Sequence, residues 1–199
     1  LPNSAIGGLS GPSHAEEVSL EIPTALVIAS KDDQLLKDVQ TTFMNEALRI
    51  YTSYDLKGAE LGGALKNIIA FCAGIITGQQ LGDNTFAALL TRGLSEMAKL
   101  SIKMGGEPKT IYGLTGLGDL IVTCMSNHSR NRRAGILIGQ GKTIEEAKQE
   151  IGMTIESIDN IRTAYKLSQK YDVEMPIVNA VYKVLFEKLE AQKAISDLM

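Results

Sequence analysis

The sequence predicts a mainly α protein, in which residues 1–53 form the closing β-α-β portion of an α/β domain and residues 54–199 an all-helical domain. Two observations carry this reading. Residues 22–30 and 48–52 are short apolar or alternating runs, partly β-branched, and a helix-length segment lies between them. From Leu56 onward strand signals nearly vanish, and apolar residues recur at three- and four-residue spacing almost to the end.

Taken in order, Ile22-Pro-Thr-Ala-Leu-Val-Ile-Ala-Ser30 reads as a buried strand and Leu48-Arg-Ile-Tyr-Thr52 as a half-buried one. Between them, residues 32–43 suit a helix opened by Asp32 or Asp33 as N-cap. An open parallel sheet needs further strands and cover on both faces, so the start of this domain is expected to precede Leu1. Leu61, Leu65, Ile68, Ile69, Cys72, Ile75 and Ile76 then share one face of a buried helix. Asp83 or Asn84 caps the next, whose stripe is Phe86, Leu89, Leu90, Leu94 and Met97, and Gly105-Gly106 ends it. Thr143-Ile-Glu-Glu146 has the capping-box pattern before residues 147–151. Helical periodicity returns over 156–171, 176–188 and 191–199.

The composition, 44% hydrophobic and 22% charged, is that of a globular chain and excludes collagen-like or largely disordered readings. A net charge of −3 provides no general attraction to nucleic acid or anionic lipid, so an anion site has to be local. Cys72 and Cys124 each sit in an apolar run, as core thiols in a reducing, cytoplasmic compartment would. The two histidines, His14 and His128, have no Cys or His at ligand spacing, so no metal site is expected. Residues 1–11 carry no basic segment, and the longest uncharged run, 67–82, is interrupted by Gly, Asn, Thr and Gln. Neither a signal peptide nor a membrane span is expected.

Two glycine-rich segments imitate nucleotide motifs without meeting their requirements. Gly113-Leu-Thr-Gly-Leu-Gly118 reverses the dinucleotide spacing, and ahead of Gly141-Lys-Thr143 the residue that a phosphate loop needs as glycine is Ile136.

Four other constellations could carry chemistry. In Glu60-Leu-Gly-Gly-Ala-Leu-Lys-Asn67, Lys66 falls at the border of the apolar face beside Ala59, Gly62, Ala70, Ala73 and Thr77. Adjacent glycines inside a helix cost about 1 kcal/mol each relative to alanine, so close approach to the backbone is expected there. Lys66 either snorkels to water over tight helix packing or stands partly desolvated, able to protonate a ligand oxygen. Ser129-Arg-Asn-Arg-Arg133 opens an amphipathic helix with cations where the dipole favours anions. It is either a solvated basic helix end or a phosphate site built from N–H groups, a hydroxyl and an Arg fork. Asp119, in Gly116-Leu-Gly-Asp-Leu-Ile-Val-Thr-Cys124, sits where an N-cap would, and could alternatively hold an ammonium or a substrate hydroxyl. Gly11-Pro-Ser13, after Gly7, Gly8 and Ser10, is a turn or a backbone cradle.

Together with Ser10-Gly-Pro-Ser-His-Ala15, Gly82-Asp-Asn84, Thr91-Arg-Gly93 and Glu174-Met-Pro176, these segments run in one order along nearly the whole chain. The sequence resembles bacterial NAD(P)-dependent glycerol-3-phosphate dehydrogenase. The resemblance implies that residues 1–53 end a Rossmann domain whose glycine fingerprint precedes Leu1, and that 54–199 form the substrate domain. It implies Lys66 as catalytic proton donor and acceptor, with Gly11, Ser13, Asp119, Ser129, Arg130 and Asn131 as further substrate contacts. Ala15, Arg130, Thr154 and Glu156 fall at cofactor-contact positions, the cofactor being NADP or NAD. Three departures stand out: His14 replaces the family's usual aromatic, Thr154 a common aliphatic, and Glu156-Ser-Ile-Asp-Asn160 a Glu-Gly-Val-Arg run.

The implied reaction interconverts dihydroxyacetone phosphate and sn-glycerol 3-phosphate, supplying the glycerophospholipid backbone, with no metal, no nucleic acid and no membrane partner. A homodimer is a further expectation. The 199 residues alone are expected to be inactive, because the pyrophosphate-binding turn is not among them. The alternative is a non-catalytic phosphate-binding or oligomerisation module.

Overall fold

A computed structural model describes residues 4–198. In chain order the elements are β1 (Gly7–Ser10), α1 (Ala15–Ser19), β2 (Thr24–Ser30), α2 (Asp33–Phe43), β3 (Leu48–Ser53), α3 (Leu56–Gly78), α4 (Gly82–Lys103) and α5 (Pro108–Ile111). A π-helical turn at Leu114–Gly118 follows, then α6 (Asp119–Met125), α7 (Arg130–Gly139), α8 (Ile144–Ile151), α9 (Glu156–Tyr171), α10 (Pro176–Phe186) and α11 (Ala191–Leu198). The fold class is the predicted one, a helical majority preceded by a small sheet. Met199, to which the periodicity extended the last helix, and residues 1–3 lie outside the described residues.

The chain forms two compact units, Leu1–Gly63 with Ser101–Asp119 and Ala64–Leu100 with Leu120–Met199. The first unit thus holds more than residues 1–53, because Asp55 ties later segments into it. Its carboxylate accepts from the Gly58 N–H (2.8 Å), starting α3, and from the Glu107 N–H (2.7 Å). Burial pushes the Asp55 carboxyl up, but the Glu107 N–H, the Thr110 hydroxyl, the Gly58 N–H and the Lys109 charge outweigh it and hold the group below its ordinary value.

Within this unit β2 and β3 pair in parallel, from Thr24 opposite Leu48 to Ala29 opposite Ser53. Connecting them is α2, capped by Asp32, whose side chain accepts from Leu35 N at 2.8 Å. Leu26, Ile28, Leu36 and Ile50 make the core. Sequence reasoning missed β1, which runs antiparallel to β2 with Gly7 opposite Ser30. Gly-Gly-Leu-Ser has no apolar alternation to announce it; ladder bonds to β2 and the Ser30 hydroxyl donating to Ile6 O (2.7 Å) make the strand.

The glycine pair in α3 divides in function. A Cβ on Gly62 would sit 2.7 Å from the Thr115 carbonyl oxygen, whereas one on Gly63 would meet nothing within 4 Å. Close approach therefore accounts for the first glycine only. Asp119 departs from expectation as well: with φ −70° and ψ −32° it is helical, and its N–H donates to Gly116 O and Leu114 O. The π-helical turn runs straight into α6, which leaves no open helix start for Asp119 to cap.

In the second unit, Gly74 and Gly78 of α3 face Gly135 and Gly139 of α7. A Cβ on Gly74 would collide with the Arg132 carbonyl, and one on Gly135 with that of Phe71, so the two backbones are in direct contact. The imitation phosphate loop is thus helix end and packing surface, and Thr143 closes a complete capping box with Glu146. Although α3 is long and apolar enough to cross a membrane, 67% of its most apolar window is buried within the protein. Cys72 and Cys124 are buried free thiols. Burial pushes both thiol pKa values up, that of Cys124 to about 12.

Glu96 of α4 is 3% exposed. Its carboxylate accepts from the Ile177 and Val178 N–H groups at 2.8 and 3.3 Å. These two donors at the start of α10 have no acceptor within their own helix, and Met175 offers no side-chain cap. Burial outweighs those bonds and the Arg92 and Lys99 charges, and pushes the carboxyl up to about 7. A carboxyl raised on folding contributes most stability below its ordinary pKa and loses that contribution as pH rises through 7. Thermal melts from pH 5 to 8 should therefore show wild type losing at most about 3 kcal/mol relative to Glu96→Gln. A wild-type-to-variant difference that stays constant over that range would show that Glu96 does not titrate there.

Candidate active site

Lys66 is half-buried on α3, next to buried Ala70 and Ala73 on the same face. Its neighbour Asn67, only 6% exposed, donates from Nδ2 to Glu156 Oε2 at 3.0 Å. Glu156 opens α9, and its other oxygen lies 3.9 Å from the Arg130 guanidinium. At that separation and exposure the ion pair is worth less than about 1 kcal/mol, so Arg130 is not locked onto Glu156.

The start of α7 distinguishes its three arginines. Ser129 is the N-cap, accepting from the Arg132 N–H at 3.3 Å, which leaves earlier N–H groups of the turn for another acceptor. Arg130 keeps a side chain 37% exposed beside that helix end. Arg132 donates to Asn127 Oδ1 at 2.9 Å, and Arg133 is exposed. The first turn thus combines a helix dipole, free N–H donors and one available guanidinium, the chemistry of a phosphate site.

Asn131 is 8% exposed, and its Oδ1 accepts from the Ser157 N–H at 3.0 Å. It caps α9 from outside, since the N-cap residue Ile155 has no side-chain acceptor. Asn160, one turn further on, donates from Nδ2 to the Ala64 carbonyl at 3.0 Å. Thr154 and Glu156 are exposed just before and at the start of α9. One network therefore joins the helix of Lys66, the first turn of α7 and the first turn of α9.

The remaining sequence-predicted residues belong to the first unit. Gly11 is buried with φ +140°, and a Cβ there would lie 3.1 Å from the Ala25 carbonyl oxygen, so the Gly-Pro-Ser turn requires glycine. Ser13 donates to the Gly11 carbonyl at 3.1 Å, and Ala15 is exposed at the start of α1. Asp119 is 4% exposed. Sequence reasoning overlooked Asn67 and Asn160 as members of the network; adjacency to Lys66 was a usable signal for the first, while nothing in the sequence marks the second. Among the described residues no group of three or more His, Cys, Asp or Glu could hold a metal ion.

Residues 55–196 match the family model described as NAD-dependent glycerol-3-phosphate dehydrogenase C-terminus, and residues 1–36 the corresponding N-terminus. The chain is 57% identical over 199 residues to a Clostridium perfringens protein named as an NAD(P)+ glycerol-3-phosphate dehydrogenase, covering all of this chain and 60% of that protein. A Fusobacterium nucleatum protein of the same name is 54% identical over 197 residues, covering 99% of this chain and 59% of its own. The crystal structure of glycerol-3-phosphate dehydrogenase from Coxiella burnetii superimposes with a TM-score of 0.94 at 43% identity, covering 98% of this chain and 60% of that one. The chain spans about 60% of the length of these relatives. With its helical part matched almost end to end, the chain belongs to the NAD-dependent glycerol-3-phosphate dehydrogenase family.

Proposed function

We propose that the full-length protein interconverts dihydroxyacetone phosphate and sn-glycerol 3-phosphate with NADPH or NADH, in the cytoplasm, supplying the glycerophospholipid backbone. Residues 1–53 serve the cofactor side and 54–199 the substrate side. The observation that carries this reading is the network in which Asn67, Glu156 and Asn131 join the helix of Lys66 to a helix start with a half-exposed arginine. It supplies a proton donor and a phosphate anchor on one framework.

The phosphate of the substrate binds the first turn of α7, where the free N–H groups and Arg130 offer charge-assisted hydrogen bonds. Lys66 gives a proton to the C2 oxygen in the reductive direction and takes it back in the other, and its charge stabilises the developing alkoxide. Anchoring the phosphate converts binding into alignment of C2. The family resemblance adds Gly11, Ser13, Asp119, Ser129 and Asn131 as substrate contacts.

Arg130, Thr154 and Glu156, exposed or half-exposed polar groups at the starts of α7 and α9, offer the donors and acceptors that suit a dinucleotide, and the resemblance adds Ala15. When bound, NADPH or NADH supplies two electrons and one hydrogen to the carbonyl carbon. The 199 residues by themselves are expected to show no turnover.

Calorimetry of dihydroxyacetone phosphate binding to the full-length protein tests the site. Arg130→Ala should weaken binding at least about tenfold, the loss of one charge-assisted bond pair, while exposed Arg133→Ala should change it little. Equal affinity of wild type and Arg130→Ala would make this segment a solvated basic helix end.

A further inference from the structure

Residues 156–160 are tethered on two sides. Toward α3, Glu156 accepts from Asn67 Nδ2 and Asn160 donates to the Ala64 carbonyl, each at 3.0 Å, so the contacts fall on either side of Lys66. Toward α7, the Ser157 N–H donates to Asn131 Oδ1 at 3.0 Å and Glu156 Oε1 faces Arg130 at 3.9 Å. This single turn therefore relates the helix that carries the proton donor to the helix start that carries the phosphate anchor. Glu156 and Asn131 are themselves in the proposed binding set, whereas Asn160 is not.

The Asn160 bond is unusual in what it holds. In α3 the Ala64 carbonyl lies within the helix ladder, and a second donor on its other lone pair pulls the helix backbone toward α9 at the residue two before Lys66. The bond fixes backbone position and so the origin from which the long Lys66 side chain reaches. A lysine has four rotatable carbons, and its ammonium is placed only as well as its Cα is.

We propose that Asn160 is a positioning residue, one that sets Lys66 relative to the phosphate anchor by holding the α3 backbone against the first turn of α9. The proposal rests on the dehydrogenase reading and adds to it a residue that touches neither substrate nor cofactor. A displacement of about 1 Å in a reacting group can cost as much as 10²-fold in rate, so loss of this tether should fall on kcat.

The test compares Asn160→Ala, Asn160→Gln and wild type in the full-length protein, with steady-state oxidation of NADPH by dihydroxyacetone phosphate and a thermal melt of each. The expected result is a kcat at least about tenfold lower in Asn160→Ala. KM values should stay within about threefold, the melting temperature should be nearly unchanged, and most of the rate should return in Asn160→Gln, whose amide can still reach the carbonyl. An unchanged kcat, with or without a lower melting temperature, would overturn the proposal and leave Asn160 a structural strut. A rise in KM at constant kcat would also overturn it, by showing a ligand contact. Should Asn160→Ala not fold, Asn160→Gln and Asn160→Ser decide instead: equal rates in these two, which differ in whether a donor can reach the Ala64 carbonyl, reject the tether. Active wild type with insensitive variants removes this proposal alone, while inactive wild type removes the dehydrogenase reading with it.

Discussion

Lys66→Ala in the full-length protein should lower kcat by about 10²–10⁴-fold, the usual cost of removing a positioned acid–base group, while the melting temperature hardly moves. The two halves of this expectation have separate causes. Lys66 is only half-buried, its helix-face neighbours Ala70 and Ala73 are small, and alanine is the better helix former. Its ammonium, by contrast, is the proposed proton source at C2, and no other lysine stands on this part of α3 between Gly62 and Gly78. Single-turnover rates with saturating cofactor and substrate separate chemistry from binding and release. Near-normal transfer in the variant would reject the proton-donor role; a large drop in melting temperature with normal transfer would make Lys66 a packing residue.

The largest effect on stability is expected from Gly135→Ala. The added methyl would run into the Phe71 carbonyl and lie 3.0 Å from the Gly74 Cα, so no side-chain rotation can relieve it. Helices α3 and α7 would have to separate, opening the contact made by Gly74, Gly78, Gly135 and Gly139, at a cost of about 3 kcal/mol or more. That is a large share of the total for a domain of this size. Gly63→Ala is the control, because nothing lies within 4 Å of a Cβ there. Removing a glycine from a helix interior should leave the protein as stable as wild type or about 0.5–1 kcal/mol more so. Urea unfolding of both variants beside wild type settles the matter. A Gly135→Ala midpoint equal to wild type would mean that the two backbones are not in contact. The crossing also positions the first turn of α7, so any folded Gly135→Ala protein should bind phosphate ligands more weakly.

Much of the architecture was legible because it rests on local rules. Strands β2 and β3, the Asp32 cap, the Gly105-Gly106 stop, the Thr143 capping box and the helix start at Ser129 all follow from residues close to one another in the chain. Periodicity placed α3, α4, α9 and α10 to within a few residues, since α4, α9 and α10 each hide an apolar stripe, while α3 is buried on every side from residue 67 to 76. What was not legible depends on partners distant in the chain. The strand β1 exists through pairing with β2, the π-helical turn replaces the cap expected at Asp119, and Glu96 caps a helix 81 residues away.

The candidate site divides in the same way. Lys66 could be singled out from the sequence because a cation beside small residues on an apolar helix is rare, and Ser129-Arg-Asn-Arg because cations oppose a helix dipole. The amino-acid sequence by itself determined the fold class, the family resemblance and which residue types could carry proton transfer and phosphate binding. Only the tertiary structure decided which arginine of three is left available, that the Asn131 oxygen serves as the cap of α9, and that Asn67 and Asn160 bind α9 to the helix of Lys66. The reason is that a hydrogen bond between residues 26 to 96 positions apart leaves no trace in local spacing. Its partners are brought together by the burial of apolar faces elsewhere, and one of them is a backbone carbonyl, which every residue has.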